Sequence, residues 1–447
     1  METGGQTVEH TPPPPRRGAR MEQLRDSRIG RLAEAAGDNL RDPARVTLLL
    51  LLAALVLRAL WLNLPARGLI FDESYYVNAA RVILGWPASV HYIDSPIGLD
   101  PNTEHPPLGK LLMAASMAVL GDVGMGWRLP SLIAGMVALI VVYKIVQTTD
   151  RSPWLPVVVA GLVSLDNLTL VHGRIGTLDM LVLAPMLTAS LLALRRRWLL
   201  AGLAMGIALL VKLTALYGIA AVVLYVLATE GPQWWRQRRV PLRAVAGPFA
   251  FGIVTVTVFM VGLAILDARY TTFASPLDHI ARMVSYGANL SVPPRVGFCP
   301  EADSKPWQWL FNECQIQYLR VDETILAGDK VVGKIAKIDF RGALNPLLVG
   351  AIPLAALFTA WYGWRTRSQV ALWTVTWAAA NYLPYVALAL FTNRIMYIYY
   401  VLPLVPAVAV GVALLLLRAG LPRPISWAFV LAYVVGFAAY FPFRQIP

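Results

Sequence analysis

The sequence predicts an all-α polytopic membrane protein with about eleven transmembrane helices. Of its 447 residues, 57% are hydrophobic and only 15% are charged, and the mean hydropathy is +0.57. Soluble domains carry about 25% charged residues. Apolar runs of roughly 17–25 residues, the length that crosses a bilayer, recur along the chain. The net charge of +13 falls mostly on short loops between these runs, which indicates membrane topology and argues against nucleic-acid binding.

The chain begins with a segment that cannot bury a core. Residues 1–45 are polar and rich in arginine and proline, and we expect a disordered basic tail on the cytoplasmic side. The tail is too long to be the charged region of a signal peptide. Residues 46–447 are predicted to form one membrane domain, whose first span is 46–62.

Residues 63–127 are predicted to form an outer loop that contains two helices at the membrane surface. The first, at about 73–84, carries apolar residues along one face, as helices lying at an interface do. The second, at 108–120, is apolar but short for a span. If it crossed the bilayer, the arginine-rich loops that follow would lie outside, against the positive-inside rule. We therefore expect this helix to be juxtamembrane.

The remaining spans follow from apolar runs and from loop charge. The short loops on one side carry nearly all of the loop arginines, so this side is predicted to be cytoplasmic and the C-terminus to lie outside. The longest outer loop is 268–342, in which Cys299 and Cys314 form either a disulfide or two free thiols. The ten predicted spans are 128–147, 153–171, 177–194, 198–211, 214–229, 245–267, 343–363, 369–390, 396–417 and 423–441.

Ionisable residues near apolar segments are costly and are functional candidates by default. With the topology above, they collect at the outer ends of spans and in the adjoining loops, whereas topology alone explains the cytoplasmic arginines. This asymmetry predicts an active site that faces outward. The residues concerned are Arg58, Asp72, Glu73, His105, Lys110, Arg174, Asp179, Lys212 and Arg394.

Each candidate has two interpretations. Asp72 and Glu73 are either acidic residues that cap and start a helix or a carboxylate base with a neighbour that tunes it. His105 is either part of a rigid loop entering a helix or a substrate contact. Arg174 and Asp179 are either a surface ion pair of little energetic value or an arginine that binds phosphate and is held by its partner.

Lys212 and Arg394 also have two interpretations. Each is either a cation that snorkels to the interface or a cation that faces a cavity and neutralises a phosphate. The chain has no Walker loop, dinucleotide-binding glycine pattern, metalloprotease motif or serine-hydrolase elbow. Soluble nucleotide chemistry therefore has no support in the sequence.

Several stretches, in this order, resemble the protein O-mannosyltransferase family of the C-type glycosyltransferase superfamily. The outer loop 268–342 is too short for the additional trefoil domain of the eukaryotic members, so the resemblance is to a bacterial type. The matching stretches are Phe71-Asp72-Glu73, 105–112, Gly173-Arg174, 178–180, 202–212, 304–307, Asn345-Pro346, 394–403 and 440–442.

The resemblance implies an eleven-span enzyme that transfers mannose, with inversion, from a polyprenyl-phosphate donor to Ser or Thr of an exported protein. Asp72 is then the catalytic base and Glu73 its helper. The implied partners are the lipid-linked donor, the protein acceptor and the bilayer, with no nucleic acid. The candidates for binding the donor phosphate are Arg58, Arg174, Lys212 and Arg394, and those for contacting substrate are His105, Asp179, Lys305 and Trp307.

Two alternatives stay open at this point. A related transferase would move another lipid-linked sugar to a lipid or to a cell-wall glycan. A lipid or sugar transporter would also place charged residues near spans, although transporters usually show repeated halves and midplane sites. The sequence also leaves open whether a divalent cation takes part.

Overall fold

The computed structural model describes residues 41–66, 68–291, 299, 303–327 and 330–445, so nearly all of the predicted tail 1–45 lies outside the described residues. The described chain is mostly helical, with short 3₁₀ turns at Leu213–Ala215 and Ile398–Leu404. The helices are α1 Pro43–Ala59, α2 Glu73–Leu84, α3 Leu108–Leu120, α4 Gly124–Thr149, α5 Leu155–Ser164, α6 Asn167–His172, α7 Leu178–Leu194, α8 Trp198–Leu209, α9 Leu216–Gln237, α10 Leu242–Tyr270, α11 Pro276–Asn289, α12 Pro306–Trp309, α13 Pro346–Thr366, α14 Gln369–Phe391, α15 Val405–Arg418 and α16 Arg423–Ala439.

Six helical stretches of the described chain are long and apolar enough to cross a membrane. Together with the shorter apolar helices α3, α5, α7, α8 and α16, they confirm a multi-pass helical membrane protein. Helix α4 packs against α7, α7 against α8, and α8 against α10. The six stretches are Gly124–Thr149, Leu213–Gln237, Leu242–Tyr270, Pro346–Thr366, Gln369–Phe391 and Ile398–Arg418.

The two helices predicted for the first outer loop are present at the predicted bounds. Helix α2 buries Tyr76, Val77 and Ala80, and it packs against α3, which in turn packs against α4. This packing fixes α2 to the membrane helices that follow it. The N-terminal end of α2, where Asp72 and Glu73 lie, is therefore held by a rigid scaffold.

The predicted span 153–171 is two helices rather than one. Asp166 ends the continuity because its side chain caps α6, where Oδ2 accepts a hydrogen bond of 2.9 Å from the Thr169 backbone N–H. Its other oxygen accepts a 2.9 Å bond from the backbone N–H of Asn345, immediately before α13. A buried carboxylate thus joins the break in the span to the start of a distant helix.

The all-α prediction is wrong for the segment 268–342, the predicted long outer loop, which contains a β-hairpin. Strands β1, Ile316–Ala327, and β2, Lys330–Gly342, pair in antiparallel fashion. Only residues 337–340 of β2, Lys-Ile-Asp-Phe, alternate between polar and apolar types, which is the period-2 pattern of a half-buried strand. The C-terminal segment pairs with β2, since the Asp339 N–H donates to Pro442 O at 2.8 Å.

The two cysteines of the long loop form a disulfide. Cys299 and Cys314 are bonded, with their Cα atoms 5.1 Å apart. Cys314 lies two residues before β1, so the bridge ties down the chain at the point where it enters the hairpin. The alternative of two free thiols is thereby excluded, and the position of the hairpin base is covalently restrained.

Candidate active site

Asp72 lies at the start of α2 with its carboxylate half-buried and available. Its backbone is already helical, with φ −66° and ψ −4°, whereas a capping residue usually has extended angles. None of the described residues donates a hydrogen bond to its side chain, and it makes no cap bond. The capping interpretation therefore does not hold for Asp72, which leaves this carboxylate free for chemistry.

The environment of Asp72 adjusts its proton affinity. Burial and the negative charge of Asp179 raise the pKa of the Asp72 carboxyl to about 7, against a smaller opposing effect from Lys212. A general base works best when its pKa lies near the operating pH. Asp72 is thus poised to exchange a proton near neutrality.

A pH dependence follows from the raised pKa of Asp72. If Asp72 is the base that the resemblance implies, it must be deprotonated to act. We therefore expect the rate of sugar transfer to fall as the pH drops below about 7, by about tenfold per pH unit well below that value. Above it the rate should be level. The check is kcat/KM measured from pH 5 to 9 in detergent, and an acidic limb centred near the ordinary carboxyl range, at about 4, would contradict the prediction.

Glu73 has an entirely different environment from its neighbour. Its side chain is fully buried, and both carboxylate oxygens bond the Arg128 guanidinium, at 2.8 Å from Nε and 2.9 Å from Nη2. The backbone N–H groups of Ile70 and Gly176 add bonds of 2.7 Å each. Such a two-pronged, saturated ion pair positions α2.

Arg128 uses the rest of its donors to hold the loop before Asp72. Its Nη1 donates to the carbonyls of Leu62 and Leu64 at 3.0 and 2.9 Å, and Nη2 donates to that of Gly68 at 3.1 Å. Gly176 suits this close approach to Glu73, since a Cβ there would lie only 3.0 Å from Trp127 O. The turn at Asp72 and Glu73 is therefore held through the loop before it, by Arg128, and through Glu73 itself, by the Gly176 N–H.

Lys212, Asp179 and His172 form a chain of contacts next to Asp72. Lys212 Nζ donates to Asp179 Oδ1 at 2.8 Å, and His172 Nδ1 lies 3.2 Å from Asp179 Oδ2. Lys212 and Asp179 both act electrostatically on Asp72. The structure thus brings together the predicted Lys212, Asp179 and Asp72, and it pairs Asp179 with Lys212 rather than with Arg174.

His105 lies in a loop whose backbone is held by hydrogen bonds from the buried side chain of Lys110. Lys110 Nζ bonds the carbonyl of His105 at 2.8 Å, the carboxylate of Asp100 at 2.6 Å, and the Asn102 carbonyl. Burial and the charges of Lys212 and Lys110 lower the pKa of His105 well below its ordinary value. The imidazole is therefore neutral at pH 7, and it can bond a substrate hydroxyl as donor or acceptor.

Arg394 faces the same region from the other end of the chain. Its Nη1 bonds the carbonyl of Gly287, and its charge contributes to lowering the pKa of His105. A tyrosine cluster, Tyr397, Tyr399 and Tyr400, follows in the chain, and the ring centres of Tyr399 and Tyr400 are 4.8 Å apart. The Lys212 ammonium lies 5.8 Å from the centre of the Tyr399 ring, so the tyrosine cluster packs beside the Lys212–Asp179–His172 contacts.

Arg58 and Arg174 are buried among backbone carbonyls and aromatic rings. Both are about 1% exposed. Arg174 donates to the carbonyls of Leu57 and Leu60, at 3.2 and 2.6 Å, and stacks 5.0 Å from the centre of the Phe443 ring. Cations suit the carbonyl end of a helix. Among the described residues, neither arginine has a hydrogen bond or ion pair with the other predicted site residues.

Lys305 and Trp307 begin the short helix α12. The backbone N–H of Lys305 donates to Gln308 Oε1 at 2.7 Å, and the Trp307 ring is exposed. Trp309 is instead the buried tryptophan, with Nε1 bonded to Ser304 Oγ at 2.8 Å. Trp307 therefore lies on the open side of this helix, whereas Lys305, the residue before it, is half-buried.

Three residues of the site escaped the sequence reasoning as site residues. Arg128 was not among the candidates, although an arginine at the predicted outer end of the span 128–147 is one that the positive-inside rule does not explain. Tyr399 lies in a dense aromatic run, 397–400, just after Arg394. Tyr318 belongs to the hairpin, which was not predicted.

A comparison with family models supports the resemblance. Residues 104–267 match the model described as dolichyl-phosphate-mannose-protein mannosyltransferase. Two proteins named polyprenol-phosphate-mannose–protein mannosyltransferase are similar over most of their length. The one from Corynebacterium glutamicum is 25% identical over 77% of this chain and 76% of its own, and the one from Mycolicibacterium smegmatis is 24% identical over 78% and 76%.

Solved structures show the fold. The chain superposes on a subunit of the S. cerevisiae protein O-mannosyltransferase Pmt1-Pmt2 complex bound to the sugar donor, with a TM-score of 0.65 over 90% of both chains at 11% identity. It also matches ArnT from Cupriavidus metallidurans bound to undecaprenyl phosphate, with a TM-score of 0.51 at 18% identity over 89% of this chain and 62% of that one. The predicted resemblance to the protein O-mannosyltransferases is confirmed at the level of homology, and the chain shares the fold of these solved structures.

Proposed function

We propose that this homologue of the protein O-mannosyltransferases transfers mannose from a polyprenyl-phosphate donor to Ser or Thr of exported proteins. The observation that carries the proposal is the unpaired Asp72 carboxylate beside the Lys212–Asp179 pair. A base next to a buried cation provides what a hydroxyl needs to attack a sugar that carries a phosphate leaving group. The names of the relatives supply the sugar and the acceptor class.

In this mechanism the acceptor oxygen attacks the anomeric carbon from the face opposite the phosphate, so the configuration inverts. Asp72 takes the hydroxyl proton as the new bond forms. The bond from the anomeric carbon to the phosphate oxygen breaks, and its electron pair stays with the lipid phosphate. Lys212 and Arg394 stabilise that charge, which is often the largest catalytic contribution. A phosphate leaving group needs no general acid.

Glu73 acts in this proposal as a positioning residue. Its carboxylate is saturated by Arg128 and two backbone N–H groups, so it holds α2 rather than the acceptor. His105, neutral and beside Tyr76 with ring centres 6.1 Å apart, is suited to the sugar or the acceptor hydroxyl. The exposed Trp307, with the half-buried Lys305 beside it, would contact the acceptor polypeptide.

The test is transfer by purified protein in proteoliposomes. Polyprenyl-phosphate [³H]mannose and a Ser/Thr-containing peptide are supplied, and labelled peptide is the expected product. Matched donors carrying other sugars establish the sugar, and a peptide with each Ser and Thr replaced by Ala is the acceptor control. Label that crosses the bilayer without joining the peptide would instead indicate a transporter.

The proposal requires the site to face outward, with eleven spans, a cytoplasmic N-terminus and an extracytoplasmic C-terminus. We expect Glu104→Cys to react with a membrane-impermeant maleimide in intact cells, because residue 104 lies in the predicted outer loop. Cys299 and Cys314 are bonded to each other and give the low background of the parent protein. Labelling of Glu104→Cys only after permeabilisation would overturn this topology.

A further inference from the structure

The phenol of Tyr318, at the base of the hairpin, reaches the interior of the site. Its side chain is buried, and its hydroxyl lies 2.8 Å from His172 Nε2. Its ring stacks on Phe71 with centres 4.2 Å apart. Tyr318 is therefore the residue through which the long outer loop touches both Phe71, which precedes Asp72, and the chain of contacts beside it.

Two backbone features direct Tyr318 inward. Gln317 pairs with Arg341 and Leu319 pairs with Phe340, so Tyr318 is the extra residue of a β-bulge. Bulges re-aim side chains and occur frequently beside active sites. Gly342 leaves space for the ring, since a Cβ there would lie 2.5 Å from the Tyr318 hydroxyl.

The contact with Phe71 bears on Asp72 through the backbone. Phe71 has φ +55°, a left-handed conformation that is strained for an aromatic residue. Such strain persists only where the surroundings impose it. The Phe71 ring is packed between Tyr318 and Tyr399, whose ring centre is 5.4 Å away. The two tyrosines thus hold the backbone turn that leaves the next residue, Asp72, uncapped.

The contact with His172 reaches Asp72 by a second route. The Asp179 carboxylate only accepts hydrogen bonds, so a neutral His172 carries its proton on Nδ1 and accepts from the Tyr318 hydroxyl at Nε2. Asp179 in turn holds Lys212 at 2.8 Å. The orientation of the ammonium group is thereby linked to the hairpin.

We propose that Tyr318 is a positioning residue of the transferase: it locks Phe71 from one side and the His172–Asp179–Lys212 chain from the other, so that the hairpin completes the active site. The expected kinetic effects of this inference rest on the proposed function. The contacts of Tyr318 with Phe71 and His172 do not depend on it. The hairpin then contributes a residue to the active site and is not only a surface element.

The experiment compares Tyr318→Ala with Tyr318→Phe. The alanine variant loses both contacts, and we expect kcat to fall about 100-fold, as a small misplacement of reacting groups does, with the KM for the donor within about threefold. The acidic midpoint of kcat/KM should also move below that of the unaltered protein, because water reaches Asp72. The phenylalanine variant keeps the stack on Phe71 and should lose only roughly fivefold, the effect of one hydrogen bond.

Two further variants sharpen the comparison. Gly342→Ala pushes the phenol out without changing Tyr318, and it should reproduce the lowered kcat. Val321→Ala changes an exposed side chain of the same strand and should behave as the unaltered protein. Equal kcat and pH midpoint in Tyr318→Ala and Val321→Ala would overturn the inference while leaving the transferase assignment intact.

Hydrogen exchange separates failure of this inference from failure of the proposed function. The Ile70 N–H is held by Glu73, and Tyr318→Ala should accelerate exchange across 70–73, whereas Tyr318→Phe and Val321→Ala should not. This result supports the positioning role even if the unaltered protein transfers no mannose. Unchanged exchange in Tyr318→Ala contradicts it whatever the activity.

Discussion

Asp72→Asn is expected to reduce mannose transfer by about 10³-fold, in the range that general bases contribute. Asparagine has nearly the same shape but cannot take the acceptor proton. Because none of the described residues bonds the Asp72 side chain and it makes no cap bond, the substitution removes no structural contact. We therefore expect the thermal midpoint and the affinity for the lipid-linked donor to stay unchanged.

The measurement for Asp72→Asn is initial-rate transfer at pH 8, where the unaltered carboxylate is ionised, together with donor binding and thermal unfolding. Ser74→Ala, two residues further along in the same helix turn, is the matched control and should keep its activity. Normal turnover by Asp72→Asn would remove Asp72 as the base. A lost fold with lost activity would instead show that this carboxylate has a structural contact.

The second large effect is expected at Arg128. Arg128→Leu leaves the Glu73 carboxylate buried without its partner, and breaking a buried ion pair in this way costs about 3–5 kcal/mol. Three carbonyls, those of Leu62, Leu64 and Gly68, also lose their donor. The expected result is a markedly lower thermal midpoint in detergent, with loss of activity that follows the loss of folded protein.

A control for Arg128 comes from an exposed ion pair. Arg418 lies 3.0 Å from Asp150, and the Arg418 side chain is 37% exposed; Arg418→Leu should cost under about 1 kcal/mol. Glu73→Gln separates the two roles considered for Glu73. A positioning role predicts that stability and activity fall together, whereas a direct role in handling the acceptor predicts that kcat falls while the thermal midpoint holds.

Much of the scaffold could be predicted from the sequence because bilayer-length apolar runs and loop charge are strong, local signals. Helices α2 and α3 begin and end where periodicity and charge placed them. The span 153–171 was predicted as unbroken because the buried bond of Asp166 to Asn345 depends on a distant segment. Apolar content along one stretch does not report such a partner.

The site could be predicted only in part, for a related reason. Composition and order placed Asp72, Asp179 and Lys212 on the same side, and they do lie together. Arg58 and Arg174 were placed on that side too, but their side chains bond backbone carbonyls of α1 and of the residue after it. Helix packing sets where such side chains point, and sequence position does not report it. The hairpin was not predicted, because within β2 only residues 337–340 alternate between polar and apolar types, the shortest run that indicates a strand.

The adjacency of Asp72 and Glu73 has a consequence for their order. Successive residues at the start of a helix point about 100° apart, so the Asp72 side chain stays without a hydrogen bond from the described residues while the next side chain turns to Arg128. The shorter carboxylate lies on the open side, and the longer one spans the distance to the guanidinium. A transposed Glu-Asp pair would keep charge and composition but fit neither environment. The proposed chemistry therefore depends on chain register: a single-residue insertion before Asp72 would move the aspartate into the position of Glu73 and the glutamate into that of Ser74.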